Sequence, residues 1–441
     1  MKARLVPIYF QSDQDKDFVD QLAVLRHLLA DDAEILAPTA LGAPVPEADA
    51  VVFPQMLGDA YRRVDAFKAI GAPILVITSE FGTVSMWDWE INRYLRSEGV
   101  EVFAPSNLAE TLLLCRTLAL KRELAGAKLL VFQDNPGEGF QASIFKRFYW
   151  WEDECTQRMF DKFGITIEKR SFRALGQAAR EIPDEEAQAT WRQWEDRLNI
   201  GDISPRALFS ALKVYLAVKR ELAADPSIVG AGINCLNESR LSDTTPCLAW
   251  NMLYEERRLI WGCEADTVAM LSQIVLQRTL AVPVMMTNLY PFLMGQAALK
   301  HERIPDFPPV AEGPEHHILA AHCGYFGVVP QSFSTEWTLR KKVLAIVDDN
   351  ATAIDARMPE GAITLAKLEP DFRRWSVAEG ILERYAQFAN SDCLNGAVIR
   401  VSDGYRLLDE LASHHYILTA GHNLAGLRLV ARLFGMDVAV I

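Results

Sequence analysis

Seven of the eight histidines lie in the last third of the chain (His301, His316, His317, His322, His414, His415 and His422), and only His27 falls in the first half. Just upstream of them runs Gly262-Cys263-Glu264-Ala265-Asp266. Imidazole and carboxylate are the donors that a borderline divalent ion takes, so metal-assisted chemistry is expected in this half. From residue type alone, Glu264 and His322 are candidate ligands, and Asp266 is a carboxylate placed to orient one. An acidic residue opening a helix also favours the helix dipole, and this plainer reading of Glu264 carries equal weight. His316 reads as a solvated residue and His422 as one satisfying backbone groups near Gly421. His414 and His415 head a period-two segment, so they should point to opposite faces, with at most one of them entering a given site.

The elements that must position these residues fall into three blocks. Continuous apolar runs alternate with amphipathic stretches from Leu5-Phe10 through Val51-Phe53 to Ile74-Ile77. That is the pattern of parallel strands covered on both faces by helices. The pattern restarts after Ala125-Gly126-Ala127 with Leu129-Phe132, continues through the strand Ile228-Ile233, and reaches Val282-Met286. Ligands in such sheets sit beyond the carboxyl ends of the strands, which marks the turns after Phe132 and Ile233. Beyond Thr287 period-two segments dominate, among them Ala362-Leu365, Ala397-Val401 and His415-Leu418, followed by a helix through Leu427-Phe434 and a last strand from Asp437. The expected fold is α/β, with two doubly wound parallel-sheet domains followed by a mainly antiparallel, barrel-like domain. Its boundaries are 1–124, 125–286 with Glu264, and 287–441 with His322 and His415.

A length of 441 residues calls for two or three cores. A net charge of −13 with no basic cluster argues against nucleic acid and anionic membrane as partners. The N-terminus reads as a first strand and the apolar runs are too short to cross a bilayer, so a soluble protein is expected. Seven scattered cysteines without a C-x-x-C pair read as reduced thiols and a cytoplasmic home.

Four motifs occur in order: Pro246-Cys247, Cys263-Glu264-Ala265-Asp266, His322-Cys323-Gly324, and Ser413-His414-His415 followed by Gly421-His422-Asn423-Leu424. Together they resemble the L-fucose isomerase and L-arabinose isomerase superfamily over most of the chain, most firmly from about Gly232 onward. Ser79-Gly82 to Trp87-Asp88 is weakly similar to the segment that covers a neighbouring subunit's site in those enzymes. The resemblance implies that Glu264, His322 and His415 bind a divalent ion, usually Mn²⁺, and that the protein is a homo-oligomer, a trimer or hexamer. It also implies a second acidic ligand, serving as acid or base, soon after Val284-Met285-Met286. The aligned residue is Asn288, a departure, because an amide cannot accept a proton as a carboxylate does.

The expected activity is aldose-ketose isomerisation of a sugar through an enediolate stabilised by the ion. Glu264 and Asp266 are the catalytic candidates, with Glu238 and Glu302 as further substitutes for the missing acid. Asn288, Trp87 and Trp150 are the substrate-binding candidates, although large aromatics more often belong to the core. The competing expectations are a sugar-binding or regulatory descendant that lost its base, and a metal-dependent epimerase or lyase.

Overall fold

The computed structural model describes residues 1–10, 14–55, 59–79, 86–135, 142–235, 241–291, 310, 312–322, 331–341, 350–387 and 395–441. The chain divides into two compact units. The first comprises Met1–Glu123, Arg278–Leu280 and Arg428–Gly435, and the second comprises Leu124–Gln277, Ala281–Leu427 and Met436–Ile441.

In the first unit the strands are β1 (Ala3–Tyr9), β2 (Ala33–Ile35), β3 (Thr39–Ala40), β4 (Ala50–Phe53), β5 (Ile74–Val76) and β6 (Val102–Phe103). They pair in parallel in the order β2-β1-β4-β5-β6, with β3 also on β1. The apolar runs form this sheet because both faces are covered. Leu5, Val52 and Leu75 pack with Leu25, Leu114 and Leu118 on one side. Val6, Val51 and Ile74 pack with Phe67, Ile91 and Leu95 on the other.

The second unit holds a parallel sheet and a barrel. Its parallel strands are β7 (Lys128–Phe132), β8 (Thr166–Arg170), β10 (Ile228–Ile233) and β11 (Ile260–Cys263), in the order β11-β10-β7-β8. A short β9 (Asn199–Ile200) instead joins β14 (Glu336–Lys341) and β15 (Thr352–Arg357) in a three-stranded sheet. The barrel strands are β12 (Met285–Pro291), β13 (His317–Ala321), β16 (Gly361–Leu368), β17 (Arg374–Ala386), β18 (Gly396–Arg400) and β19 (His415–Ala420). They run β16-β19-β12-β13-β18-β17, and β17 pairs back onto β16, so six antiparallel strands close on themselves. Closure removes free edges. The last strand, β20 (Asp437–Val440), adds in parallel to β17.

The mixed α/β class with parallel sheets and a closed antiparallel barrel agrees with the sequence expectation. Two details differ. Apart from Arg278–Leu280 and Arg428–Gly435, segments 125–286 and 287–441 lie in one compact unit, and the expected boundary falls inside β12. The strand placed at Val282-Met286 starts only at Met285 and pairs with β13 and β19, not with the parallel sheet. An apolar run shows that a strand is buried and says nothing of which sheet receives it.

Candidate metal centre

Glu264 sits where β11 turns into the helix Thr267–Leu280. Both Glu264 and Ala265 hold φ of +55°, a left-handed conformation that costs a non-glycine residue about 1–3 kcal/mol. Several hydrogen bonds over-determine this turn. The Ala265 amide donates to the Ile233 carbonyl at 3.1 Å, and Trp151 Nε1 donates to the Ala265 carbonyl at 3.0 Å. Thr267 Oγ1 donates to the Tyr149 carbonyl at 2.6 Å. Asp266 Oδ1 caps the helix by accepting from the Ala269 amide at 2.8 Å.

The barrel supplies the imidazoles. Asn288 on β12 is in register with His415 on β19 and with Ala321 on β13, which immediately precedes His322. On the other side of β13, Gly396 of β18 pairs with Ala321 in a close approach that only glycine allows, since a Cβ there would lie 2.0 Å from the Ala320 carbonyl oxygen. His415 Nδ1 donates to Asp266 Oδ2 at 2.8 Å, and that oxygen also accepts from Lys367 Nζ at 2.9 Å. His322 Nδ1 donates to Asn288 Oδ1 at 3.1 Å, while Asn288 Nδ2 donates to the Tyr290 hydroxyl at 3.1 Å. An imidazole that donates through Nδ1 carries its lone pair on Nε2. The Nε2 atoms of His322 and His415 are both buried, with no hydrogen-bond partner among the described residues. Their rings stand 6.0 Å apart.

Glu264, His414 and His415 each offer a ligand atom within 4.8 Å of the others, and this group could hold a metal ion. Tyr149 closes it: its ring stacks on His415 at 5.1 Å. Its hydroxyl donates to Glu264 Oε2 at 3.2 Å and lies 3.3 Å from His414 Nε2. The electrostatics follow from burial. Burial works to raise the Asp266 carboxyl, but the Lys367 ammonium and the His415 hydrogen bond outweigh it, so Asp266 titrates well below the ordinary carboxylate range. Desolvation pushes His415 down to about 4 against the pull of Asp266, and pushes His414 to about 2 with help from His415. Neutral imidazoles are the form that binds cations. Burial and the charges of Glu264 and Asp266 raise the Tyr149 phenol well above its ordinary value, so it stays a hydrogen-bond donor.

The sequence-derived residues fare differently. Glu264 and His415 share the possible ligand group with His414, and Asp266 bonds to His415, whereas His322, expected as a ligand, bonds to Asn288 with its ring 6.0 Å from that of His415 and stands outside that group. The expectation that only one of His414 and His415 enters the site fails, because β19 begins at His415 and strand alternation does not reach His414. Trp150 is 1% exposed, with its ring 4.1 Å from that of Phe372, so it belongs to the core and its neighbour Tyr149 reaches the site. Trp87 falls within the helix Met86–Ser97, but its side chain lies outside the described residues, as do Glu238, His301, Glu302 and Cys323. His317 bonds to the Gly313 carbonyl and to Glu383, His316 to the Ser402 carbonyl, and His422 to the Gly380 carbonyl.

Sequence reasoning missed Tyr149 and Lys367. Lys367 had a signal: it is the one charge within Ile363-Thr364-Leu365-Ala366-Lys367-Leu368, where a buried lysine requires a buried anion. Tyr149 had none beyond its place in an aromatic cluster. No protein-family model matches the chain, and no curated protein matches it.

Proposed function

We propose that the protein is a divalent-metal-dependent isomerase that interconverts an open-chain aldose and its ketose. One observation carries the reading: Glu264, His414 and His415 bring ligand atoms within 4.8 Å of one another, and the His415 lone pair is set on its buried Nε2 by the Asp266 partner of its Nδ1. Two nitrogens and a carboxylate suit Mn²⁺ or a similar borderline ion. Such an ion, when bound, polarises a carbonyl and stabilises an enediolate.

The residues divide the remaining work. Both Asp266 oxygens are engaged, by the helix cap and by Lys367 and His415, so Asp266 positions His415 and does not reach substrate. Asn288 holds His322 and cannot take a proton. Glu264 is therefore the carboxylate assigned to move the proton between adjacent carbons. The Tyr149 hydroxyl, hydrogen-bonded to Glu264 and adjacent to His414, steadies the carboxylate.

The test is exchange of the C2 hydrogen in deuterated water, with Mn²⁺-loaded protein and a panel of aldoses. Exchange with ketose formation is expected for at least one sugar. The amide at Asn288 favours a second reading, a sugar-binding descendant without turnover. That reading gains if calorimetry detects sugar binding while no aldose exchanges. A ketose-free product would point to an epimerase or lyase. The homo-oligomer belongs to the same proposal and is checked by light scattering.

A further inference from the structure

The paired register runs Phe132, Ile233, Cys263 across β7, β10 and β11, and the Asn234 amide extends the ladder by donating to the Phe132 carbonyl at 3.0 Å. The next residue on each strand, Gln133, Asn234 or Glu264, therefore leaves the sheet at one common carboxyl edge. With adjacent strands about 4.8 Å apart, the Gln133 backbone stands about 10 Å from that of Glu264. Gln133 is 8% exposed, and neither Nε2 nor Oε1 has a hydrogen-bond partner among the described residues. Its backbone is satisfied, since its amide donates to the Arg170 carbonyl at 3.0 Å. A buried amide with two donors and an acceptor all unmet is a cost the fold does not need, because an apolar side chain of the same length would fill the space. Neighbours at this end of the sheet are engaged: Asp134 accepts from the Arg173 amide, and Arg170 pairs with Glu168 and Glu221.

We propose that Gln133 is a hydroxyl-recognition subsite that binds the distal end of an open-chain polyol sugar whose carbonyl end lies at Glu264. This rests on the isomerase reading and narrows its substrate class: the sugar carries a hydroxyl at the far end of its chain. The amide accepts from and donates to that hydroxyl, so an analogue lacking it leaves Gln133 unmet and is rejected.

The test uses the full chain loaded with Mn²⁺ and titrates pentitols and hexitols, each beside its terminally deoxygenated analogue, by calorimetry. Gln133→Met is expected to weaken the best-bound polyol about tenfold. It should leave its deoxy analogue and Mn²⁺ affinity unchanged, and raise the melting temperature of the metal-free protein by removing a buried unmet amide. Unchanged polyol affinity in Gln133→Met overturns the subsite alone. A lowered melting temperature does the same, since it would mean that the amide has a partner in the fold. Failure of the wild-type protein to bind any of these polyols overturns both the subsite and the isomerase reading.

Discussion

In the first unit, β4 runs out through Phe53 and Pro54 to Gln55, a half-exposed residue whose amide donates to Asp15 Oδ1 at 3.3 Å. In the second, β7 runs out through Phe132 to Gln133, buried and with no side-chain hydrogen-bond partner among the described residues. The ion pairs differ in the same sense. Arg122 pairs with Asp49 in the first unit with the arginine about one-third exposed, whereas Lys367 and Asp266 pair with almost none of either side chain exposed. The carboxyl ends of β4 and β7 thus differ, one leading to an amide that bonds within its unit, the other to a buried amide with no partner among the described residues. A parallel sheet offers its carboxyl edge for binding. What turns that edge into a candidate site is the left-handed turn at Glu264 and the barrel strands carrying the imidazoles.

The comparison breaks most readily at Glu264. Glu264→Gln should abolish stoichiometric Mn²⁺ binding, a loss beyond the roughly hundredfold ceiling expected for residues behind the ligands. Calorimetry showing full metal binding in that variant would remove the distinction between the sheets. Next in size is the contrast of ion pairs. Lys367→Met leaves Asp266 buried without its cation and should cost about 3–5 kcal/mol in urea denaturation. Arg122→Met should cost about 1 kcal/mol or less. Equal losses would show that burial of the Lys367 pair carries no special weight.

Acid sharpens the same point. The folded His415 is held down to about 4, below the ordinary value near 6.5. As pH falls through this interval the unfolded chain takes up the proton first, so stability is present above about 6.5 and is lost toward 4, by about 3 kcal/mol in metal-free protein. The depressed Asp266 carboxyl adds its own loss only below about pH 4. Melting curves of the metal-free protein should therefore slope across pH 4 to 6.5, with His414, held down to about 2, adding to the slope, and His415→Gln should reduce the slope without abolishing it; a wild-type protein with no slope would contradict buried neutral imidazoles. The smallest effect belongs to Gln55→Leu, expected to shift stability by about 0.5 kcal/mol or less. A large change there would place a demanding site in the first unit too.

Much of the architecture was legible because local patterns record which faces are apolar. Val51-Val52-Phe53 and Leu129-Leu130-Val131-Phe132 read as doubly covered strands, and Ala362-Leu365 and Ala397-Val401 as barrel strands. The β8 segment Thr166–Arg170 escaped because its half-buried, charged sequence has no apolar run. Glu264, His322 and His415 stood out by type and order, while His414 was set aside on an alternation that begins one residue too late to apply. Trp150 belongs to a cluster in which neighbouring rings look alike in sequence, although it is Tyr149 that stacks on His415 while Trp150 packs on Phe372.

By itself the sequence determined the element types, the parallel and antiparallel blocks, and the inventory of donors, since these depend on residue type and on periods of two and 3.6. Tertiary structure alone decided that the barrel closes from β16 to β17, and that Tyr149, Glu264, Asp266, Lys367 and His415 meet across separations of 101 to 149 positions. It also decided which imidazole nitrogen bears the lone pair. Those outcomes rest on strand register and on removal of water around charge, and neither quantity exists until distant segments of the chain have packed together.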